Sequence, residues 1–151
     1  MQDFAVLGID PGKSGGLALF MPSATIPQVW AVAQTPRDVW DQMKSLIAMA
    51  GPTIRVMLES VHSMPTDGGK ASFTFGKWVA YMEICLIGNG VPYEVVKPKD
   101  WQSKMECLTG GDKNISKQRA QALFPTLSFT HATAEASLIA EYARRLWLGI
   151  Y

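Results

Sequence analysis

The sequence predicts an α/β fold in which a mixed five-stranded sheet is flanked by helices, with residues 1–151 forming one domain. Three features carry that expectation. Apolar runs too short for helices open the chain, and the apolar period then changes to that of a helix. From there strand-like and helix-like segments alternate. Two of the strand-like runs also end on a carboxylate, Asp10 and Glu59.

Phe4 to Asp10 holds Val6, Leu7 and Ile9, a run typical of a strand buried on both faces. Pro11 disfavours helical geometry at Asp10, so the strand runs out through Asp10 into the Gly12 turn. Gly15 to Met21 and Gln28 to Ala33 read as two more strands. Their turn-rich links predict an antiparallel meander. Thr35 before Pro36 is a cap followed by proline at the first helical position, and Val39, Met43, Leu46, Ile47 and Ala50 mark one helical face. Gly51-Pro52 ends that helix. Ile54 to Glu59 is the fourth strand, and residues 60–71 form a polar loop. A helix from near Ser72 to Ile87 is closed by Gly88-Asn89-Gly90. Tyr93 to Val96 is the fifth strand. Pro98 opens a short helix, which Thr109-Gly110-Gly111-Asp112 breaks. Ile115 to Phe124 is another helix, stopped by Pro125, and the last runs from about Thr133 to the C-terminus.

Composition excludes several classes. With 48% hydrophobic and 18% charged residues the chain can bury a core rather than stay disordered. No apolar run approaches the roughly 20 residues a bilayer-spanning helix needs. The N-terminus lacks the basic region of a secretory signal, and Cys85 and Cys107 suit a reducing compartment, with no partner at zinc-site spacing. Together these predict a soluble intracellular protein. The net charge of +1 announces no nucleic-acid partner. Between Lys97 and Arg119, however, six basic residues (Lys97, Lys99, Lys104, Lys113, Lys117, Arg119) face three acidic ones. Such an excess can line a phosphate track or simply solvate a surface.

Asp10 and Glu59 close two predicted buried strands, where ligands of open α/β sheets collect. A buried carboxylate is costly unless something positive meets it, and oxygen donors suit Mg²⁺ or Mn²⁺. Either acid alone is as readily a turn cap. A third carboxylate favours the metal. Glu135 precedes Ile139, Tyr142 and Leu146 by four, seven and eleven residues, which puts it on the inward stripe of the last helix. A glutamate serving only the helix dipole has no reason to point inward. His131, just upstream, offers a nitrogen ligand, although a histidine near a helix start is more often structural. Gly12-Lys13-Ser14 is not the end of a phosphate-binding loop, because Leu7 stands where that pattern needs glycine.

Leu7-Gly8-Ile9-Asp10-Pro11-Gly12, Leu58-Glu59-Ser60 and Ala134-Glu135-Ala136-Ser137-Leu138-Ile139-Ala140 resemble, in order, the three acidic motifs of RuvC-type Holliday junction resolvases. Ser63-Met64-Pro65, Ser72-Phe73-Thr74-Phe75-Gly76, Gly90-Val91-Pro92-Tyr93, Val96-Lys97-Pro98-Lys99-Asp100-Trp101 and Lys117-Gln118-Arg119-Ala120 extend the resemblance, in the manner of phage-type members, over nearly the whole chain.

The resemblance implies a ribonuclease H-like fold and a homodimer that nicks four-way DNA junctions symmetrically in recombination and repair. It implies Mg²⁺ or Mn²⁺, two ions per site, and the cytoplasm of a bacterial or phage-infected cell. Metal ligands would fall on Asp10, Glu59, Glu135 and His131, with Asp10 bridging both ions. The last motif commonly carries aspartates, so His131 and Glu135 depart from it; histidine is known at the upstream position in some members. With an imidazole ligand, metal binding should weaken as pH falls through the imidazole range. Lys117 is expected near the scissile phosphate, with Lys113 as second choice. DNA contacts are expected from Met64, Phe73 and Phe75, as apolar insertions at the crossover or else as core, and from Lys113, Lys117 and Arg119. The helix after Ser72 is apolar on more than one side, as one packing on both the sheet and a partner subunit would be, or one buried within a single domain. A junction-binding protein that has lost cleavage is the alternative reading, prompted by His131. An actin-like phosphotransferase would need a second domain of comparable size.

Overall fold

The computed structural model describes residues 2–60 and 67–151. Strands β1 (Val6–Asp10), β2 (Gly16–Phe20) and β3 (Gln28–Ala31) form the expected antiparallel meander. Strand β4 (Arg55–Glu59) pairs in parallel with the free side of β1, and β5 (Tyr93–Val96) pairs in parallel with β4. The sheet order is therefore β3-β2-β1-β4-β5. Five helices accompany it among the described residues: α1 (Pro36–Ala50), α2 (Gly69–Gly88), α3 (Pro98–Lys104), α4 (Lys113–Leu123) and α5 (His131–Trp147).

Strand periodicity divides the core in two. Leu7, Ile9, Leu17, Leu19, Val56 and Leu58 face one side, where Val39, Met43 and Leu46 of α1 and Trp78, Met82 and Leu86 of α2 meet them. Val6, Ala18, Phe20 and Met57 face the other, against Trp101 of α3, Ala120 of α4 and Ala136, Ile139, Ala140 and Ala143 of α5. The same parity sends Asp10, two residues beyond Gly8, and Glu59, two beyond Met57, toward the α5 side. The β1–β4 register matches Ile9 with Leu58, so the next residues on each strand, Asp10 and Glu59, lie side by side at the C-terminal edge.

Helix α5 sits unusually close to β1 and β2. A Cβ on Gly8 would come within 2.5 Å of the Ala140 nitrogen and 2.6 Å of the Ala136 oxygen. One on Gly16 would lie 2.5 Å from the Ala132 oxygen. Glycine at both positions lets helix backbone rest on strand backbone, and this carries Glu135 down to the strand ends.

Three helices begin earlier than the sequence suggests. Helix α2 starts at Gly69 rather than near Ser72, because its N-cap, Gly68, supplies no side-chain bond to mark the boundary. Asp112, read as part of a breaker, caps α4 by accepting from the Asn114 amide. Helix α5 starts at His131, where Thr130 and Thr133 form a reciprocal capping box with threonine in place of the usual Glu or Gln. No helix among the described residues is long and apolar enough to cross a membrane.

Candidate metal centre

Asp10 ends β1, Glu59 ends β4, and Glu135 lies in the second turn of α5. One oxygen from each comes within 4.8 Å of the other two. The three residues are only 8, 6 and 7% exposed. They form the floor of a cleft of about 830 Å³, walled by the Pro11–Gly15 turn, by Gly68 and the first half of α2 (Lys70, Thr74, Phe75 and Trp78), and by Pro98, Gln102, Thr109, Gly111 and Lys113.

The electrostatics of this floor favour a cation. Burial, together with the negative charges of Glu59 and Glu135, raises the Asp10 carboxyl well above its ordinary value. Glu59 is raised to about 7, again mainly by burial; its hydrogen bond from Trp101 and the charge of Lys113 pull the other way. Among the described residues no ion pair reaches any of the three carboxylates. Glu141, the other buried acid among the described residues, is the contrast within the same helix. It is 3% exposed and holds Arg144 and Arg145 at 2.7 Å each. Burying an ion costs several kcal/mol even after relaxation, so three clustered carboxylates without a paired cation are unstable as a packing device. A divalent cation coordinated by these hard oxygen donors removes that penalty, and the donor set suits Mg²⁺ or Mn²⁺.

The other expected site residues divide. His131 is exposed on the first turn of α5, with Nε2 3.0 Å from the Asn114 Oδ1, and the carboxylate group does not include it. Lys113, the second choice, lines the cleft, and its charge acts on both Asp10 and Glu59. Lys117 is one turn further along α4, half-buried, and is not part of the cleft wall. The difference arises because α4 begins at Lys113, which brings its first residue to the strand ends. Arg119 donates to the Met105 carbonyl at 2.8 Å and to Glu106 at 3.2 Å, so its guanidinium ties α4 to the end of α3. Phe73 is 70% exposed and Phe75 38%, which excludes the core reading for both. Met64, with Ser63 and Pro65, lies outside the described residues.

Four site residues carry no role in the sequence reading. The Trp101 indole N–H donates to Glu59 Oε2 at 2.5 Å, and the Ser116 hydroxyl to Glu135 Oε1 at 3.4 Å. Lys13 and Lys70 line the cleft. A buried tryptophan signals only that its N–H needs an acceptor; which acceptor depends on the β4–β5 pairing.

No protein-family model matches the sequence, and no curated protein matches it. Solved structures do match. Thermus thermophilus RuvC, in complex with a Holliday junction substrate, is similar with a TM-score of 0.67 at 16% identity, covering 97% of this chain and 97% of that one. A further Thermus thermophilus RuvC structure gives 0.65 at 14% identity, again with 97% of each chain covered. The yeast mitochondrial Holliday junction resolvase Ydc2 gives 0.51 at 15% identity, over 95% of this chain and 80% of that one. The fold of this chain is therefore that of RuvC, a ribonuclease H-like mixed sheet flanked by helices.

Proposed function

We propose that the chain is a RuvC-type Holliday junction resolvase, a homodimeric, metal-dependent endonuclease that nicks four-way DNA junctions in symmetric pairs. The observation that carries this reading is the convergence of Asp10, Glu59 and Glu135, remote in sequence, into one buried group at the floor of an open cleft. The shared fold supports it, as one similar structure is of RuvC bound to a junction.

Divalent ions, two per site as the family resemblance implies, supply when bound the Lewis acidity that makes water nucleophilic and stabilises the leaving 3′ oxygen. The chain's own residues do the rest. Asp10, which feels the charge of both glutamates, would hold the metal together with Glu59 and Glu135. Lys113 brings positive charge to the mouth of an otherwise acidic floor, where it offsets the repulsion between carboxylates and a phosphodiester. Lys13 and Lys70 extend that charge along the cleft walls. In hydrolysis a water oxygen bonds to phosphorus and the bond from phosphorus to the 3′ oxygen breaks, leaving a 5′ phosphate and a 3′ hydroxyl. Phe73 and Phe75 present apolar surface beside the cleft and suit insertion at unstacked bases of a crossover. The outward face of α2, with Ile84 60% and Ile87 63% exposed, suits a second copy, and a two-fold dimer matches a two-fold junction.

The position of His131 favours a second reading. If three carboxylates are a ligand set too small for chemistry, the protein binds junctions and leaves them whole. One experiment separates the two. A synthetic mobile four-way junction is incubated with the parent protein and with Asp10→Asn, in Mg²⁺ or Mn²⁺. Paired symmetric nicks from the parent alone support the resolvase. Bound but intact junctions under every condition support the second reading, and absence of binding removes both.

A further inference from the structure

We infer that Trp101 is a positioning residue for the metal centre, its indole N–H holding the Glu59 carboxylate in the orientation that a divalent cation requires. The inference rests on the proposal that the acidic floor binds metal, and it concerns a residue outside the three acidic motifs.

The route from fold to contact is short. Glu59 pairs in register with Val96 of β5, and the Ser60 amide donates to the Val96 carbonyl at 2.7 Å, locking the two strand ends together. Pro98 then starts α3 two residues after β5 ends. Trp101 accordingly falls one helical turn beyond Lys97, with its ring in the α5-side core and wholly shielded from solvent. Its backbone is held from both directions, by a bond from its amide to the Lys97 carbonyl and one to its carbonyl from the Met105 amide at 2.9 Å. The indole is a rigid donor fixed in a packed core.

The choice of acceptor is the telling feature. A buried tryptophan needs only some acceptor, and a backbone carbonyl meets that need without burying charge. Here the acceptor is a carboxylate that burial penalises, and the indole N–H is directed at its Oε2. The indole takes Oε2, while Oε1 accepts nothing from the described residues. One oxygen is thus immobilised, and the other takes no hydrogen bond from the described residues. That is the division a metal-ligating carboxylate needs, since outer partners of metal ligands fix their orientation and their loss typically costs about 10–100-fold in metal affinity or activity.

The test is Trp101→Phe, which removes the N–H and keeps an aromatic ring in the core. Mn²⁺ binding is measured by calorimetric titration in the absence of DNA. Met105→Ala, which truncates another side chain of the same core cluster, controls for lost packing. The expected result is Mn²⁺ affinity weakened about tenfold or more in Trp101→Phe and within twofold of the parent in Met105→Ala, although the latter lowers the thermal midpoint. Cleavage by Trp101→Phe, where the parent cleaves, recovers at saturating Mn²⁺. A Trp101→Phe affinity within twofold of the parent overturns the inference. Should that variant not fold, the ¹⁵N-labelled parent decides: the Trp101 indole resonance moves on Mg²⁺ titration if the inference holds, and a stationary resonance refutes it. Because these readouts are metal binding, a parent that binds Mn²⁺ and cuts no junction overturns the nuclease proposal alone. A parent that binds no Mn²⁺ overturns both.

Discussion

At the scale of the residue, the contrast between Glu141 and the acidic floor leads to a measurable asymmetry. Glu141 is buried and paired; Asp10 and Glu59 are buried and opposed. Both have carboxyls raised above the ordinary range, so the metal-free fold prefers them protonated. For Glu59 that preference is fully stabilising below its ordinary value of 4.5 and is lost as pH rises through about 7. Asp10 works in the same direction. Metal-free protein in chelator should therefore lose thermal stability as pH rises across that window, and calorimetry with Glu59→Gln should show a flatter profile. Metal binding runs the opposite way, because the ligands must be deprotonated: Mn²⁺ affinity should rise over the same window. The sequence suggested this pH dependence through His131. If instead the carboxylates cause it, His131→Ala retains the dependence, and its disappearance in that variant would return the effect to the imidazole. Asp10→Asn should abolish nicking yet stabilise the metal-free protein at pH 8, read as a higher melting temperature. A destabilised metal-free Asp10→Asn would contradict the account of a repulsive floor.

At the scale of the element, α5 on β1 and β2 is the contact that assembles the site. It depends on the missing side chains of Gly8 and Gly16 more than on any side chain present. Atoms within about 2.6 Å of a new Cβ at Gly8 belong to helix backbone, which cannot rotate aside. Gly8→Ala should lift α5 from the sheet at a cost of about 1–3 kcal/mol, the usual range for overpacking. Because Glu135 travels with α5, Mn²⁺ affinity should fall alongside the melting temperature. Retention of full affinity by a destabilised Gly8→Ala would mean that Glu135 is located by its own contacts, such as that with Ser116, rather than by the helix.

At the scale of the whole molecule, α2 has two different apolar faces. Trp78, Met82, Cys85 and Leu86 are buried against the sheet and α1, whereas Phe73, Ile84 and Ile87 remain exposed. Isoleucines about three fifths exposed on a helix already anchored inward call for a partner. Combined Ile84→Glu and Ile87→Glu should shift the protein from dimer to monomer in sedimentation velocity. Paired nicks should give way to single nicks, while Mn²⁺ affinity stays within twofold of the parent. An unchanged sedimentation coefficient would exclude this face as the dimer contact.

The sequence by itself determined the element order, the meander, the strand ends on which Asp10 and Glu59 sit, and the inward stripe bearing Glu135. These follow from local rules, the two-residue period of strands and the 3.6-residue period of helices, which neighbouring residues display directly. Tertiary structure alone decided which cations and donors meet those acids. Lys113 rather than Lys117 lines the cleft because α4 begins two residues earlier than its apolar pattern indicates, at a cap that also reads as a loop. Trp101 meets Glu59 across 42 positions because β5 lies beside β4, a pairing no local pattern encodes. His131, one turn before Glu135, is turned to solvent and Asn114, since position on a helix sets a direction and not a destination. Periodicity is a property of the chain, whereas convergence is a property of the packed sheet and helices.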